Sequence, residues 1–348
     1  MFARTLVAPF DAVRSIVLRL VLAVLGTRGP ALLADRSLRV AVYAAFGLFI
    51  AAGTTIVAPL WAFALGPLVL GVPHLLADVR YLVVHPALHR RTALAFAVGV
   101  PLVAATALVS PVWGLCASFG AIAFARAPIA HKLTALPLWA LVVFAAWRHP
   151  LASTFVLVHG HNVVAIALFA LVFARHKRAT WVLVSGFLGF SLLFVSGAAD
   201  PLLLRPSAVV GPSTGLELSD MIDTLAPVSD PLMGARLAFF FVFAQGVHYL
   251  VWLRLVPEEA RERPGLRSFA SSLRALRADV GLPILGLAVL ATVVIGARAM
   301  VSLEDSRMLY LRIAGAHAYL EIAFALLFLL EGRSLLGRMV PPPGRRRG

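Results

Sequence analysis

Long apolar stretches, separated by short polar ones, run through most of the chain. Each holds roughly 15 to 25 residues, close to the length of a helix that crosses a bilayer. The pattern predicts an all-α fold, a polytopic integral membrane helical bundle with about ten transmembrane helices. The predicted spans are 39–58, 60–84, 92–109, 111–125, 133–147, 151–174, 180–203, 233–255, 280–302 and 308–331. We expect one membrane domain, with an N-terminal segment (1–38), the bundle (39–331) and a basic tail (332–348).

Two polar segments near the predicted spans have patterns of their own. In residues 8–27, Arg14 and Arg19 interrupt apolar residues at helical spacing. This favours an amphipathic helix at the membrane interface over a signal peptide, and a further span is the alternative. The 257–277 loop is rich in arginine and predicts either a basic surface helix or a solvated linker.

Basic residues concentrate in every second loop. They precede the first span, follow the second, fourth and sixth, fill the loop between the eighth and ninth, and end the tail. The alternate loops contain fewer of them, and the 204–232 loop is acidic. Because cytoplasmic loops are enriched in Lys and Arg, both termini are predicted to be cytoplasmic, in a bacterial-type inner membrane.

The composition excludes several classes of protein. Hydrophobic residues make up 61% and charged residues 14%, whereas a soluble domain has about 25% charged residues. A soluble enzyme, a disordered chain and a fibrous protein are therefore excluded.

The net charge of +15 is assigned to the predicted cytoplasmic loops. It does not indicate binding to nucleic acid, since aromatic and basic residues are not interleaved. The single cysteine, Cys116, excludes an intramolecular disulfide and a cysteine metal cage.

Histidines fall into two groups. Five lie in turns or at span edges, where a solvated imidazole is expected: His85, His89, His131, His149 and His176. The other five lie inside apolar spans and are candidate metal ligands: His74, His159, His161, His248 and His317. Two carboxylates join the second group, because Asp78 and Glu321 follow His74 and His317 by four residues and share their helix faces. Ionisable groups in the hydrocarbon region are costly and usually mark a functional site.

The depth of these residues predicts that they meet. Counted from the cytoplasmic ends, they lie roughly 10–22 Å into the membrane, on helices that run in both directions. His159 and His161 are two residues apart, about 200° around a helix, so one of them is expected to turn away. Asn162 favours His161 as the ligand. Asp78, Glu321 and Tyr249, which follows His248, are the candidate catalytic residues.

A layer of imidazoles and carboxylates predicts a metal centre. Iron, zinc, copper and manganese accept this donor set, and one cysteine excludes an iron–sulfur cluster. We favour iron with open positions for oxygen, in a mononuclear or dinuclear centre. The predicted function is a metal-dependent membrane oxidoreductase whose lipophilic substrate enters from the bilayer, with an electron donor as a candidate partner.

Two other functions account for the same residues. One is a proton-coupled transporter, in which His and carboxylates form a relay. The other is a haem-bearing electron-transfer subunit, with His74 and His248 or His161 and His317 as axial ligands. The repeated HxxxH and HxxHH boxes of the desaturases are absent from the sequence, which argues against a fatty-acid desaturase.

One segment carries a family resemblance. The run Gly71-Val72-Pro73-His74-Leu75-Leu76-Ala77-Asp78 resembles the Gly-x-Pro-His-x-x-x-Asp signature of the Brp/Blh membrane carotene dioxygenases. The resemblance implies a helical bundle with intramembrane histidines that uses iron and oxygen to cleave β-carotene into retinal. Only His74 and Asp78 match by motif, and Leu75 and Val79 stand where the family usually has Gly and His.

Overall fold

The fold was analysed in a computed structural model that describes residues 2–204, 216–226, 228, 230–261 and 267–339. Over these residues the chain is helical and contains no strand, which confirms the all-α prediction. The α-helices are α1 (Phe2–Leu25), α2 (Arg28–Ala34), α3 (Arg36–Val57), α4 (Pro59–Asp78), α5 (Thr92–Leu108), α6 (Pro111–Phe124), α7 (Ile129–Arg148), α8 (Pro150–Leu168), α9 (Lys177–Val195), α10 (Asp200–Leu203), α11 (Leu218–Leu225), α12 (Pro231–Leu250), α13 (Val256–Glu259), α14 (Phe269–Ala299) and α15 (Leu303–Glu331).

All ten predicted spans are helical, and eight are long and apolar enough to cross a membrane. These eight are Arg36–Val57, Pro59–Val84, Ile129–Arg148, Pro150–Phe173, Lys177–Val195, Pro231–Glu259, Phe269–Ala299 and Leu303–Leu336. The remaining two, α5 and α6, have only 17 and 14 residues. They form a hairpin in which a Cβ on Gly120 would lie 2.3 Å from the carbonyl oxygen of Ala97, so their backbones are in close contact. Because α5 and α6 are consecutive, they return the chain to the same side of the membrane whether both cross it or neither does. The predicted sides of the other loops therefore do not depend on them.

Ion pairs join the helix termini at one end of the bundle, which we call the basic end. The pairs there are Arg39–Glu258 at 2.8 Å, Arg80–Asp279 at 2.6 Å and Arg91–Glu331 at 2.8 Å. The backbone N–H of Arg126 also donates to Glu331, at 2.7 Å. The opposite end, called the far end, holds the Arg236–Asp200 and Arg298–Asp305 pairs. Loops predicted to share one side of the membrane therefore meet at one end of the bundle.

Helix α12 is the central helix. Within the span that contains α12, 72% of the residues in an 18-residue apolar stretch are buried inside the protein. The corresponding share in the span formed by α7 is 6%. The outward side of α7 consists of exposed apolar residues such as Leu138, Leu141 and Phe144. A helix that is buried all round lies in the interior of a bundle, and one with an exposed apolar face suits contact with lipid.

Three helices share an unusual design. Each of α4, α8 and α12 begins with a Pro-Leu pair, and proline at the first helical position lacks only an N–H that would be unbonded there anyway. Each also continues toward the basic end as a π-helical segment: Val79–Val84, Phe169–Phe173 and Val251–Leu255. They carry His74, His161 and His248, which are successively 87 residues apart. The sequence analysis did not predict this recurrence.

The N-terminal helix docks at the basic end. Asp11 of α1 accepts hydrogen bonds from the backbone N–H groups of Phe269 at 2.6 Å and Ala270 at 3.2 Å, and so caps α14. Helix α1 is not among the eight long apolar helices, in agreement with an interfacial position. Helix α14 begins at Phe269, so the last part of the loop predicted at 257–277 is helical. Gly281, with φ +79°, separates these first turns of α14 from its apolar part. Residues 262–266 lie outside the described residues.

Candidate metal centre

Helix α4 contributes His74 and Asp78, both 1% exposed. Gly71 allows Tyr310 of α15 to pack directly against α4, because a Cβ at this position would lie 2.3 Å from the tyrosine ring. Pro73 has no N–H to donate to the preceding turn, which loosens α4 beside His74. The Gly-x-Pro-His run therefore brings α15 close to α4 at the level of the histidine.

Helices α12 and α15 bring their histidines to His74. The Nε2 atoms of His248 and His74 are 2.8 Å apart, and the ring centroids of His317 and His74 are separated by 4.7 Å. Glu321 Oε1 lies 3.5 Å from His248 Nε2. One ligand atom from each of His74, His248, His317 and Glu321 lies within 4.8 Å of the other three. The predicted convergence is confirmed, and the buried group can hold a metal ion.

His161 and Asp78 flank this group of four. The ring centroid of His161 is 5.2 Å from that of His248 and 5.3 Å from that of His317. Asp78 Oδ2 is 3.2 Å from His74 Nε2, the nitrogen that also faces His248. All four predicted histidines other than His159, and both predicted carboxylates, are thus part of one cluster, which we call the histidine layer.

Backbone carbonyls orient two of the imidazoles. His161 Nδ1 is 3.1 Å from the carbonyl oxygen of Leu157, one turn earlier, and His317 Nδ1 bonds the carbonyl oxygen of Ala314. A carbonyl only accepts, so Nδ1 carries the proton in both rings and Nε2 keeps its lone pair. Metal-binding histidines are usually oriented in this way.

The hydrogen bonds of the two carboxylates are incomplete. Glu321 Oε1 accepts a 2.7 Å hydrogen bond from the indole N–H of Trp252, while Oε2 and both oxygens of Asp78 have no hydrogen-bond partner among the described residues. Burying a carboxylate in this way is costly unless a cation faces it. Neighbouring ligands about 2.0–2.3 Å from a metal are themselves roughly 3–3.5 Å apart. Two separations in the layer, 3.2 and 3.5 Å, fit that spacing, and the 2.8 Å between the Nε2 atoms of His74 and His248 is slightly shorter.

His159 does not join the histidine layer. Its Nε2 bonds the carbonyl oxygen of Leu225 at 2.9 Å, and its ring stacks on Phe240 with centroids 5.9 Å apart. The prediction that one of the two histidines turns away is confirmed, and its consequence is that His159 drops out of the predicted ligand set. It holds α11 against α8 instead.

A cavity of about 250 Å³ adjoins the histidine layer. Its wall includes His74, His161, His248, His317, Tyr249 and Tyr310. The ring centroid of Tyr249 is 5.3 Å from that of His74, and its hydroxyl lies near that of Tyr310. The lining of α8 runs from Thr154 to Asn162, so the cavity lies between the histidine layer and the far end, where Thr224 and Leu225 of α11 border it.

The histidines outside the spans have varied surroundings. His89, His131 and His149 are exposed, as predicted. His85 is half-buried, and its Nε2 lies 3.2 Å from Asp279 Oδ2, which also binds Arg80. Burial, with a smaller contribution from nearby Arg36, lowers the pKa of His176.

Two site residues were missed by the sequence analysis. Trp252, in the π-helical segment that follows α12, is fully buried and bonds Glu321. Arg307 falls between the predicted spans 280–302 and 308–331, but it lies on α15 and lines the cavity. For Arg307, helical spacing was a signal that could have identified it. One face of α15 carries Arg307, Tyr310, Ala314, His317 and Glu321.

Comparisons of the chain with protein-family models, with curated proteins and with solved structures found no match. The functional argument therefore depends on the geometry of the histidine layer and its cavity.

Proposed function

We propose that the protein is a membrane-embedded, metal-dependent oxidoreductase that uses iron and oxygen on a lipophilic substrate. The observation that carries this proposal is the group of three imidazoles and one carboxylate within 4.8 Å, beside a cavity. Histidines with one carboxylate and open positions are typical of non-haem iron oxygenases. The same donor types also bind zinc, which makes metal identity the first quantity to measure.

In this proposal His74, His248, His317 and Glu321 hold the metal. Asp78, beside His74, either completes the ligand set or orients that imidazole, and Trp252 fixes the Glu321 carboxylate through its indole N–H. The bound metal would supply oxygen activation. Tyr249 and its partner Tyr310 lie at the cavity wall, where they can orient a substrate next to the metal.

The position of the cavity supports entry of the substrate from the bilayer. Thr154 on α8 and Gly315 on α15 line the cavity and are also exposed on the surface of the bundle. Gly315 has no atom within 4 Å of the position of a Cβ, so the gap there is open. Leu157 and Phe241 make part of the wall apolar. A carotenoid is one candidate substrate, suggested by the resemblance around His74.

The geometry argues against His74 and His248 as the two axial ligands of a haem. Two imidazole nitrogens on opposite sides of a haem iron are about 4 Å apart, with the macrocycle between them. The Nε2 atoms of His74 and His248 are separated by 2.8 Å, which leaves no space for a macrocycle. The transporter alternative makes the opposite prediction about a stoichiometric metal and is separated by the same measurement.

The decisive experiment is metal analysis of the purified full-length protein. We expect about one iron per chain and a spectrum without haem bands. His317→Ala should lose the metal. His159→Ala is the matched control, since it removes an intramembrane imidazole that does not join the histidine layer. The proposal would be contradicted if the wild-type protein bound no metal after anaerobic loading with Fe²⁺. It would also be contradicted if the two variants had equal metal content.

A further inference from the structure

Arg307 is a buried cation that forms no salt bridge with a carboxylate of the described residues. Its side chain lies one turn inside α15 at the far end and is 4% exposed. The guanidinium carbon is 3.6 Å from the centroid of the Phe63 ring, and Nε has no hydrogen-bond partner among the described residues. Glu304, one turn earlier, is exposed and attracts the guanidinium only from beyond salt-bridge distance.

The contact with Phe63 leaves the donors of Arg307 free. An aromatic ring covers the face of a guanidinium, whereas the five N–H groups point outward in its plane. Arg39, the other arginine with almost no exposure, has this edge occupied by Glu258 at 3.0 and 2.8 Å. A buried charge left without such a partner is unfavourable, and its free edge has the geometry that binds a carboxylate or phosphate through two hydrogen bonds.

The cavity places this free edge and the histidine layer in one chamber. Arg307 lines the same cavity as the four histidines, and Gln245, Thr224 and Tyr310 provide further polar groups there. Along α15, Arg307 and His317 are ten residues apart, about 15 Å. The wall between them includes Leu311 and Ala314. The cavity is therefore polar and cationic at the far end, apolar in its middle and rich in imidazole at the other end.

We propose that the cavity binds a lipid with an anionic oxygen head group, held by Arg307, whose apolar chain extends toward the histidine layer. As a statement about the substrate this inference rests on the proposed function, whereas the binding of the anion requires no metal. It favours an isoprenoid or fatty chain ending in a carboxylate or phosphate over an uncharged hydrocarbon.

The test uses the full-length protein, stripped of metal by a chelator, in nanodiscs of zwitterionic lipid. The probes are oleate, oleyl phosphate and methyl oleate, of which the last has no charge. Direct binding of the labelled lipids and the shift in the unfolding temperature are measured. We expect either anion to bind at least about tenfold more tightly than the methyl ester, since charge-assisted hydrogen bonds are roughly twice as strong as neutral ones. The tighter of the two anions identifies the head group.

The variants separate binding from a structural role. Arg307→Gln should weaken binding of the anions about tenfold or more and leave methyl oleate unchanged, without lowering the unfolding temperature of the lipid-free protein. Arg298→Gln is the control, because Arg298 lies at the same end but is exposed and paired with Asp305. Equal binding of oleate and methyl oleate, or anion binding that survives Arg307→Gln, would overturn the inference. Arg307-dependent binding in a protein that never holds iron would overturn only the proposed function.

Discussion

Glu258 and Glu321 are both fully buried glutamates, yet their surroundings differ in kind. At the basic end, Glu258 Oε1 accepts two hydrogen bonds from Arg39, and Oε2 lies 3.0 Å from Arg261. In the histidine layer, Glu321 receives one indole N–H and faces one imidazole, and its Oε2 has no partner among the described residues. The comparison teaches that the burial of a charge does not by itself indicate function. What separates the two glutamates is the cation that faces them: Glu258 pairs with two arginines, whereas the one salt-bridge partner of Glu321 among the described residues is an imidazole.

The two sites are expected to respond differently to change. Removing one member of a buried ion pair leaves the other desolvated and uncompensated, so the whole fold is destabilised. A carboxylate that lacks a cation instead links the stability of the protein to the binding of that cation. Mutations at the basic end should therefore change unfolding, and mutations in the histidine layer should change metal binding.

The largest effect is expected for Arg39→Ala. Loss of the guanidinium leaves Glu258 with only Arg261, and breaking a buried pair typically lowers the free energy of unfolding by about 3–5 kcal/mol. Denaturant unfolding of the purified protein measures this. The double variant Arg39→Met/Glu258→Leu should recover most of the loss, and the metal content of the folded protein should not change. A single variant as stable as the wild type would mean that this pair is not structural.

Removal of the metal should have the next largest effect. If the protein is saturated at 100 times its dissociation constant, a chelator should lower the free energy of unfolding by about 2.7 kcal/mol. In Glu321→Gln, which neutralises the unpartnered carboxylate, the chelator should have little effect. Thermal unfolding with and without chelator provides the measurement. Equal unfolding temperatures for the wild-type protein in both conditions would remove the contrast between the two sites.

A smaller effect is expected for Asp78→Ala. Removing a ligand or its orienting partner commonly costs 10–100-fold in metal affinity. The matched control is Asp279→Ala at the basic end, where the carboxylate binds Arg80 and His85. Metal titration of the two variants should show a loss only for Asp78→Ala. Unchanged affinity would reduce Asp78 to a carboxylate that takes part only in helix packing.

The smallest effect is expected for His85→Ala. Its ion pair with Asp279 is partly exposed, and Arg80 still binds the same carboxylate. Such pairs contribute about 0–1 kcal/mol, so both the free energy of unfolding and the metal content should stay close to the wild-type values. A loss of metal in this variant would show that the basic end and the histidine layer are coupled.

Much of this organisation can be predicted from the sequence. In a bilayer the backbone must bond within its own segment, so long apolar runs become helices, and all ten predicted runs did. The fixed rise of a helix converts residue counts into depth, which is why His74, His248 and His317 were expected to meet. The same geometry separated His161 from His159.

What the sequence did not reveal depends on contacts between distant segments. Trp252 resembles an interfacial aromatic until the π-helical segment Val251–Leu255 turns its indole toward Glu321, 69 residues later. Arg307 follows Glu304 and Asp305, so its local sequence is typical of a polar loop. Only the packing of α15 against Phe63 and the cavity shows that its charge is buried without an acid.

The π-helical segments decide where the chain can tolerate the loss of a residue. A π turn contains one extra residue relative to an α turn, so deleting one residue from Val251–Leu255 lets the segment return to α geometry and keeps the downstream chain in nearly its original angular phase relative to His248. The ion pair between Glu258 and Arg39 can then still form. A one-residue deletion inside α12 has no such extra residue to absorb it and would rotate the chain after it by about 100° relative to the chain before it. The deletion in the π-helical segment should therefore be much less damaging than the deletion in α12.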